Sequence, residues 1–173
     1  MAPLKRNQLG TFQVLVVDDE KMMHKLVCNV LNSLGFQDIV TATSGRKAIE
    51  LLTKQKFDFI ITDWRMRDLD GIDIVRFMRT SPDAAHPTTP IIMLTGNTEA
   101  HYVLTALNAG INGYLIKPFS AEQLVRRIRS VIENPRPFII APTYKGPDRR
   151  HTNKQPPGGV ERRVRGKKNK SQS

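Results

Sequence analysis

The chain has 173 residues, 39% of them hydrophobic, and its formal net charge is +11 at pH 7. This size predicts one domain with room for an appendage. No apolar run approaches the length of a membrane-spanning helix, and the start, MAPLKRNQLG, lacks the apolar stretch of a secretory signal. The single cysteine, Cys28, fits a reducing cytoplasm and falls in an apolar helical pattern, so we expect a buried, inert thiol.

The first half of the chain alternates apolar runs with helical patterns. KMMHKLVCNVLNSLG repeats apolar residues at helical spacing and reaches a plausible stop at Gly35, and SGRKAIELLTKQ predicts a second helix. Apolar runs before, between and after these helices predict strands over residues 12–17, 38–43 and 57–62.

The second half continues the alternation. A helix is predicted from about Gly71, and the last helix, SAEQLVRRIRSVIEN, opens with Ser120 and Gln123 in the spacing of a capping box. Between them lie a helix over residues 98–110 and two strands, over residues 91–94 and 113–116. Five strands that alternate with five helices predict a parallel sheet covered on both faces, in a doubly wound α/β fold.

The pattern stops after Asn134. Residues 134–173 contain 11 Lys and Arg against 2 Asp and Glu, whereas residues 1–133 are nearly balanced, at 16 against 14. Six prolines, four glycines and one dominant charge sign favour disorder in this tail. Within it, GPDRR and GVERR form an imperfect pair that is too short to establish a structural repeat.

Polar side chains follow four of the five predicted strands. Such a fold places its ligands beyond the carboxyl ends of its strands, at one edge of the sheet. Each group alone could be a helix cap or a solvated charge, but the combination of carboxylates, hydroxyl and ammonium at one edge indicates a site. Its members are Asp18 and Asp19 after the first strand, Asp63 after the third, Thr95 after the fourth and Lys117 after the fifth.

These groups suit phosphoryl transfer to a carboxylate. Mg²⁺ prefers oxygen ligands and would let adjacent carboxylates stay ionised. One carboxylate could act as the nucleophile, as aspartate does in known covalent intermediates. Lys117 and Thr95 would then supply a positive charge and a hydroxyl donor to the phosphoryl oxygens.

The segments VLVVDDE, IITDWRMRDLDG, IIMLTG and GYLIKPF, in this order and spacing, resemble the receiver domain of two-component response regulators, the CheY-like family. The resemblance covers residues 12–133, which leaves residues 1–11 as an N-terminal extension and residues 134–173 as a basic tail. It implies the flavodoxin-like strand order 2-1-3-4-5.

The resemblance also implies a role for each site residue. Asp63 is expected to be the phosphoacceptor, with Thr95 and Lys117 contacting the phosphoryl group, and Thr95 and Tyr114 forming the switch. The Lys117–Pro118 peptide bond is expected to be cis. The expected Mg²⁺ ligands are Asp19, Asp63, the backbone carbonyl of Arg65 and, through a water molecule, Asp18.

Two residues depart from the family pattern near the acceptor. Arg67 follows Met66 where the family often has proline, which alters the loop but not the acceptor. Arg65, two residues past Asp63, occupies a position that in the family tunes access to the phosphoryl group. A bulky cation there could shield the aspartyl phosphate and lengthen its lifetime, or could simply lie on the surface. Gly96 keeps the phosphate side open, as the family's small residue does.

The resemblance finally implies partners and an output. The four histidines, His24, His86, His101 and His151, share no site in the linear pattern, so a phosphohistidine is expected on a partner histidine kinase or phosphotransfer protein. The preferred interpretation is a stand-alone receiver that binds a downstream protein when phosphorylated, as a monomer or a phosphorylation-dependent dimer, with no enzymatic activity beyond its own phosphorylation and dephosphorylation.

Two other function classes stay open. One is a nucleic-acid-binding regulator that acts through the basic tail. The other is a phosphatase of the haloacid dehalogenase type, although the sequence Asp18-Asp19-Glu20 lacks the DxDx(T/V) pattern of that family.

Overall fold

The structure, a computed structural model, describes residues 9–149. Its main sheet is parallel, with the strand order β2-β1-β3-β4-β5, and the connecting helices cover both faces. This confirms the predicted doubly wound fold and its strand order. The strands are β1 (Gln13–Val17), β2 (Asp38–Ala42), β3 (Phe59–Asp63), β4 (Ile91–Thr95) and β5 (Gly113–Ile116). The helices are α1 (Lys21–Leu34), α2 (Gly45–Lys54), α3 (Gly71–Thr80), α4 (Ala100–Ala109) and α5 (Ala121–Glu133).

The central strands are buried on both faces. Successive side chains of a strand point to opposite faces of the sheet. In β1, Val14 and Val16 therefore pack in the core under α1 and α5, while Leu15 and Val17 pack in the core under α2, α3 and α4. None of the four is more than 1% exposed, which explains why this strand is an unbroken apolar run rather than an alternating one.

The predicted helix ends are present. Gly35 follows α1 and Gly110 follows α4, each with φ of +104°, a left-handed conformation that glycine adopts without strain. At the start of α5 the Ser120 hydroxyl accepts a hydrogen bond from the backbone N–H of Gln123, whose side-chain oxygen accepts one from the N–H of Ser120. This is the predicted capping box, and these local signals set where the loops begin.

The prediction of disorder from residue 134 was wrong for part of the tail. Strands β6 (Phe138–Ala141) and β7 (Tyr144–Pro147) form an antiparallel hairpin, which packs through β7 against α3 and α4. The apolar run of β6 is a strand signal that the average composition of the forty-residue tail conceals. The remainder of the tail beyond residue 149, including GVERR, and residues 1–8 lie outside the described residues.

The first of the two tail motifs has a packing role in this hairpin. A Cβ on Gly146 would lie 2.8 Å from the Cα of Gly110, so only glycine permits this close approach of β7 to the end of α4. The Tyr144 hydroxyl donates a hydrogen bond to the carbonyl oxygen of Pro147. Arg149 stacks over the Tyr144 ring at 4.1 Å and donates to the side-chain oxygen of Asn108. The sequence YKGPDR therefore fastens the hairpin to α4.

Arg79, near the end of α3, ties the surrounding loops together. Only 2% of it is exposed, and burial lowers the pKa of its guanidinium to about 10. The guanidinium also lies 5.4 Å from the centre of the Phe138 ring. Its hydrogen-bond acceptors are the carbonyl oxygens of Pro87, Thr89 and Gly110 and the side-chain oxygen of Asn112.

The composition predicted an inert thiol at Cys28 and no membrane-spanning helix, and the structure can be compared with both predictions. Cys28 is half-buried in α1, and burial raises the pKa of its thiol, which disfavours the reactive thiolate at neutral pH. Within residues 9–149, no helix is both long and apolar enough to cross a bilayer.

Candidate functional site

Three carboxylates meet at the carboxyl edge of the sheet. Strands β1 and β3 are neighbours in parallel register, with Val17 opposite Thr62. The residues that follow this pair are acidic: Asp18 and Asp19 come directly after β1, and Asp63 is the last residue of β3. One oxygen from each of the three carboxylates lies within 4.8 Å of the others. The topology thus brings together the residues that the sequence predicted as neighbours.

Asp18 and Asp63 are strongly buried, at 1% and 8% exposure. Burial raises the pKa of each carboxyl above its ordinary value, because the charged form loses its hydration. For Asp18, a 2.8 Å hydrogen bond from the backbone N–H of Glu20 opposes this rise. For Asp63, the main opposing influence is Lys117. Both carboxylates therefore gain from any cation that enters the site.

Lys117 is the cation closest to the buried pair. Its Nζ lies 2.9 Å from Oδ1 of Asp63 and 3.5 Å from Oδ2 of Asp18. Burial alone would lower the pKa of this ammonium, but the two carboxylates outweigh it and the pKa is raised. Lys117 is therefore charged at neutral pH and is positioned beside the expected phosphoacceptor.

Thr95 is buried at the end of β4, on the same edge. Its hydroxyl oxygen accepts a 3.0 Å hydrogen bond from the backbone N–H of Asn97, which leaves the hydroxyl proton to be donated to a ligand. The Thr95 carbonyl accepts a 2.7 Å hydrogen bond from the backbone N–H of Lys117. The Lys117–Pro118 peptide bond is cis, as the resemblance implied.

The loop between β3 and α3 is held close to the acceptor. A Cβ on Gly71 would lie only 2.0 Å from the carbonyl oxygen of Asp63, so any other residue would push α3 away from the strand end. Asp68 accepts hydrogen bonds from the backbone N–H groups of Gly45 and Arg46, which joins this loop to the start of α2. This role of Asp68 was not predicted from the sequence, because the two partners are more than twenty positions away.

Asp19 has a different cationic neighbour. Nε of Arg67 lies 3.3 Å from Oδ2 of Asp19. The side chain of Arg67 is 90% exposed and that of Asp19 is 22% exposed, so this is a surface ion pair at the rim of the site. Arg67 departs from the family pattern, but its contact with Asp19 was not predicted from the sequence.

The remaining predicted residues lie around this centre. Arg65 is exposed in the loop after β3, and Trp64 is buried beside the acceptor with its ring against Tyr102. Tyr114 is half-buried in β5, with the guanidinium of Arg127 5.6 Å from its ring centre. The roles predicted for Arg65 and Tyr114 stay predictions.

Of the four histidines, His151 lies outside the described residues. His24 lies within α1, and His86 lies in the loop before β4, near Thr88 and Thr89. His101 lies in α4, beside Glu99. None of these three belongs to the carboxylate cluster at the edge of the described sheet.

The carboxylate cluster fits a hard divalent cation. Mg²⁺ is usually bound through one or two carboxylates and keeps several water molecules. Asp18, Asp19 and Asp63 place carboxylate oxygens within 4.8 Å of one another, and Asp19 is partly exposed at the rim of the site. Asp19 and Asp63 are the predicted direct ligands, with the carbonyl of Arg65 as a third.

The raised pKa of Asp18 predicts a gain in stability on neutralisation. The folded state holds this proton more tightly than the unfolded state, so the ionised carboxylate destabilises the metal-free fold at neutral pH. Asp18→Asn is expected to raise the free energy of unfolding in chelator at pH 7. The gain should shrink as the pH falls through the folded-state pKa towards the ordinary value of 3.8. Urea unfolding at several pH values measures this.

Asp83→Asn is the control for that comparison, because it removes a carboxylate that is exposed and lies outside the cluster. Asp18→Asn should also reduce the stabilisation that added Mg²⁺ gives the parent protein. A variant that is less stable than the parent in chelator at pH 7 would contradict the raised pKa assigned to the buried Asp18 carboxyl.

Comparison with known proteins places this fold and site in one class. The family model for the response regulator receiver domain matches residues 14–129. The chain therefore belongs to the receiver domain family of two-component signalling proteins. This membership also removes the haloacid dehalogenase alternative.

Individual relatives agree with this. The chain is 36% identical over 121 residues to the chemotaxis protein CheY-3 of Vibrio cholerae serotype O1, covering 70% of this chain and 92% of the relative. It is equally similar to the chemotaxis protein CheY of Pseudomonas aeruginosa, covering 70% and 96%.

Solved structures show the same similarity. The CheY4 structure of Vibrio cholerae matches with a TM-score of 0.64 and 32% identity, over 70% of this chain and 98% of that one. The receiver domain of the sensor histidine kinase PA1611 of Pseudomonas aeruginosa matches with a TM-score of 0.60 and 31% identity, over 69% and 94%. That structure is described as having a magnesium ion coordinated in its active-site cleft.

Proposed function

We propose that this receiver accepts a phosphoryl group on Asp63 and binds a protein partner in its phosphorylated form. The observation that carries the proposal is the position of Lys117 Nζ, 2.9 Å from Oδ1 of Asp63 and within reach of Asp18, at the sheet edge where the three carboxylates meet. A buried carboxylate with an ammonium beside it can receive a phosphoryl group and hold the added charge.

The transfer is a substitution at phosphorus. A carboxylate oxygen of Asp63 attacks the phosphorus of a phosphohistidine on a partner kinase or phosphotransfer protein. The new bond is P–O, the bond that breaks is P–N, and the imidazole leaves with the electron pair and takes up a proton. The product is an aspartyl phosphate, an acyl phosphate that water can later hydrolyse.

The chain's own residues hold the transferred group. Lys117 places its positive charge on one phosphoryl oxygen, and Thr95 donates its hydroxyl hydrogen to another. Mg²⁺, when bound by Asp19, Asp63 and the Arg65 carbonyl, with Asp18 acting through water, would neutralise charge on the carboxylates and the phosphoryl group. The magnesium ion described for the receiver of PA1611 supports this choice of metal. Tyr114 is the proposed reporter of the phosphorylated state.

The partners are inferred from this chemistry. The donor is a histidine kinase or a histidine phosphotransfer protein, and the output is a protein that binds the phosphorylated receiver surface. The chemotaxis names of the relatives suggest that class of pathway without identifying the target. Cytoplasmic location and the monomer or phosphorylation-dependent dimer stay predictions. The nucleic-acid alternative depends on the tail, and nothing in the described residues favours it.

Labelling with a small phosphodonor tests the proposal. Acetyl phosphate is expected to label the full-length chain in the presence of Mg²⁺ and to label it far less in chelator. The label should be lost on treatment with hydroxylamine, which cleaves acyl phosphates but not phosphate esters, and mass spectrometry should locate it at Asp63. A label that resists hydroxylamine, or that lies on another residue, would contradict the assignment of Asp63 as the phosphoacceptor.

A further inference from the structure

Arg67 pairs with Asp19, whereas Lys117 pairs with the other two carboxylates of the site. Nζ of Lys117 lies near Asp63 and Asp18, whereas Nε of Arg67 lies 3.3 Å from Oδ2 of Asp19. Each of the three carboxylates therefore has a basic side chain beside it. The two cations differ in their surroundings, because the side chain of Lys117 is 18% exposed and that of Arg67 is 90% exposed.

We propose that Arg67 competes with the divalent cation for Asp19, an inference that rests on the metal site of the proposed function. Asp19 is expected to be a direct metal ligand, so the metal and the guanidinium of Arg67 would compete for the same carboxylate. Two cations at this short distance also repel each other, most strongly where water is excluded. Binding of the metal at Asp19 therefore requires the side chain of Arg67 to move away.

The exposure of Arg67 makes this movement easy. A guanidinium that is 90% exposed keeps most of its hydration and can turn into solvent without leaving a buried charge behind. Lys117 cannot leave in the same way, because its carboxylate partners are buried. Arg67 is thus the exchangeable counter-ion of the site, and Lys117 the permanent one.

The size of the effect follows from the exposure of the pair. Exposed ion pairs are weak, and the ion pair between Arg67 and Asp19 must break each time a metal ion binds. Removal of Arg67 should therefore tighten Mg²⁺ binding by about two- to fivefold. Arg67, at the position where the family often has proline, would therefore lower the affinity for the metal and not only shape the loop.

A metal titration of the full-length chain tests the proposal. Mg²⁺ alone is added to the parent, to Arg67→Gln and to Arg126→Gln, and the fluorescence of Trp64 reports binding, since it is the only tryptophan and lies next to Asp63. Arg126 is exposed on α5 and forms no ion pair with the three carboxylates, so its replacement changes the net charge equally without removing a neighbour of the metal site. We expect tighter binding for Arg67→Gln only. Equal affinities, or equal tightening in both variants, would overturn the proposal.

A second measurement uses the parent protein alone. The Nε–H signal of Arg67 in an NMR spectrum, assigned by its loss in Arg67→Gln, should shift towards the position of a free arginine as Mg²⁺ saturates the site. A signal that stays unchanged at saturation would overturn the competition, even if the affinities differ.

The outcomes separate this inference from the proposed function. If the parent shows no saturable response to Mg²⁺ by either method, the metal site is wrong and the competition falls with it. If the parent binds Mg²⁺ and Arg67→Gln binds it with the same affinity, only the role of Arg67 is wrong.

Discussion

Replacement of Asp63 with asparagine is expected to lower labelling by acetyl phosphate by at least about 100-fold, because an amide cannot act as the nucleophile that a carboxylate provides. The change leaves the shape of the side chain nearly intact. Since burial raises the pKa of Asp63, the neutral amide should also leave the metal-free fold at least as stable at pH 7. Loss of labelling would therefore not reflect unfolding.

The control for Asp63→Asn is Asp83→Asn, which removes an exposed carboxylate from the loop before β4. It should be labelled at the rate of the parent protein. Thermal unfolding of both variants in chelator checks that the fold is intact. If Asp63→Asn is labelled as well as the parent, another residue is the acceptor and the central assignment is wrong.

Arg79→Met is expected to reduce the free energy of unfolding by about 3–5 kcal/mol. Methionine keeps the apolar stem but removes a guanidinium that donates to three carbonyl oxygens and to Asn112. Buried acceptors left without donors account for most of the loss. Because an ordinary domain is stable by only about 5–15 kcal/mol, this change should be visible in urea unfolding followed by Trp64 fluorescence.

Arg76→Met is the matched control, one turn earlier in the same helix. Arg76 is exposed and pairs only with Asp73 at the surface, so its loss should change stability by at most about 1 kcal/mol. Similar losses for the two variants would show that the buried hydrogen bonds of Arg79 carry little net stabilisation. Arg79→Met should also make the β6–β7 hairpin more sensitive to protease, since the contact with Phe138 is lost.

The fold could be predicted from the sequence because its signals are local. The doubly buried β1 is readable as an apolar run, and Gly35, Gly110 and Ser120 mark helix ends through backbone conformation and capping. The strand order is different. It depends on which strands pair at long range, and here it came from the resemblance to a family rather than from periodicity.

The predicted site depended on one rule, that the carboxyl ends of parallel strands share an edge. This brought Asp18, Asp63 and Lys117 together before any distance was known. The contact of Arg67 with Asp19 was not predictable, because it depends on the path of an irregular loop. The same holds for the hydrogen bonds of Asp68 to the start of α2, which join residues far apart in sequence.

The hairpin shows a further limit of prediction from composition. A high content of proline, glycine and basic residues describes residues 134–173 as a whole, yet a short apolar strand such as Phe138–Ala141 is stabilised by the helices on which its hairpin packs. The glycine of YKGPDR matters through its close approach to Gly110, a contact that no local pattern reveals.

The attachment of the hairpin has a consequence for which edge of the sheet stays open to a partner. Arg79 and Gly146 contact residues that directly precede β4 and β5, so the hairpin is attached at the amino end of the sheet. The carboxylate cluster that forms the expected phosphoryl site lies at the carboxyl end of the strands, one strand length or about 16 Å away. A protein that approaches Asp63 from the carboxyl edge of the sheet would therefore meet the loops at the strand ends and not the hairpin. The hairpin can therefore stay attached to α3 and α4 while the expected phosphoryl site is occupied.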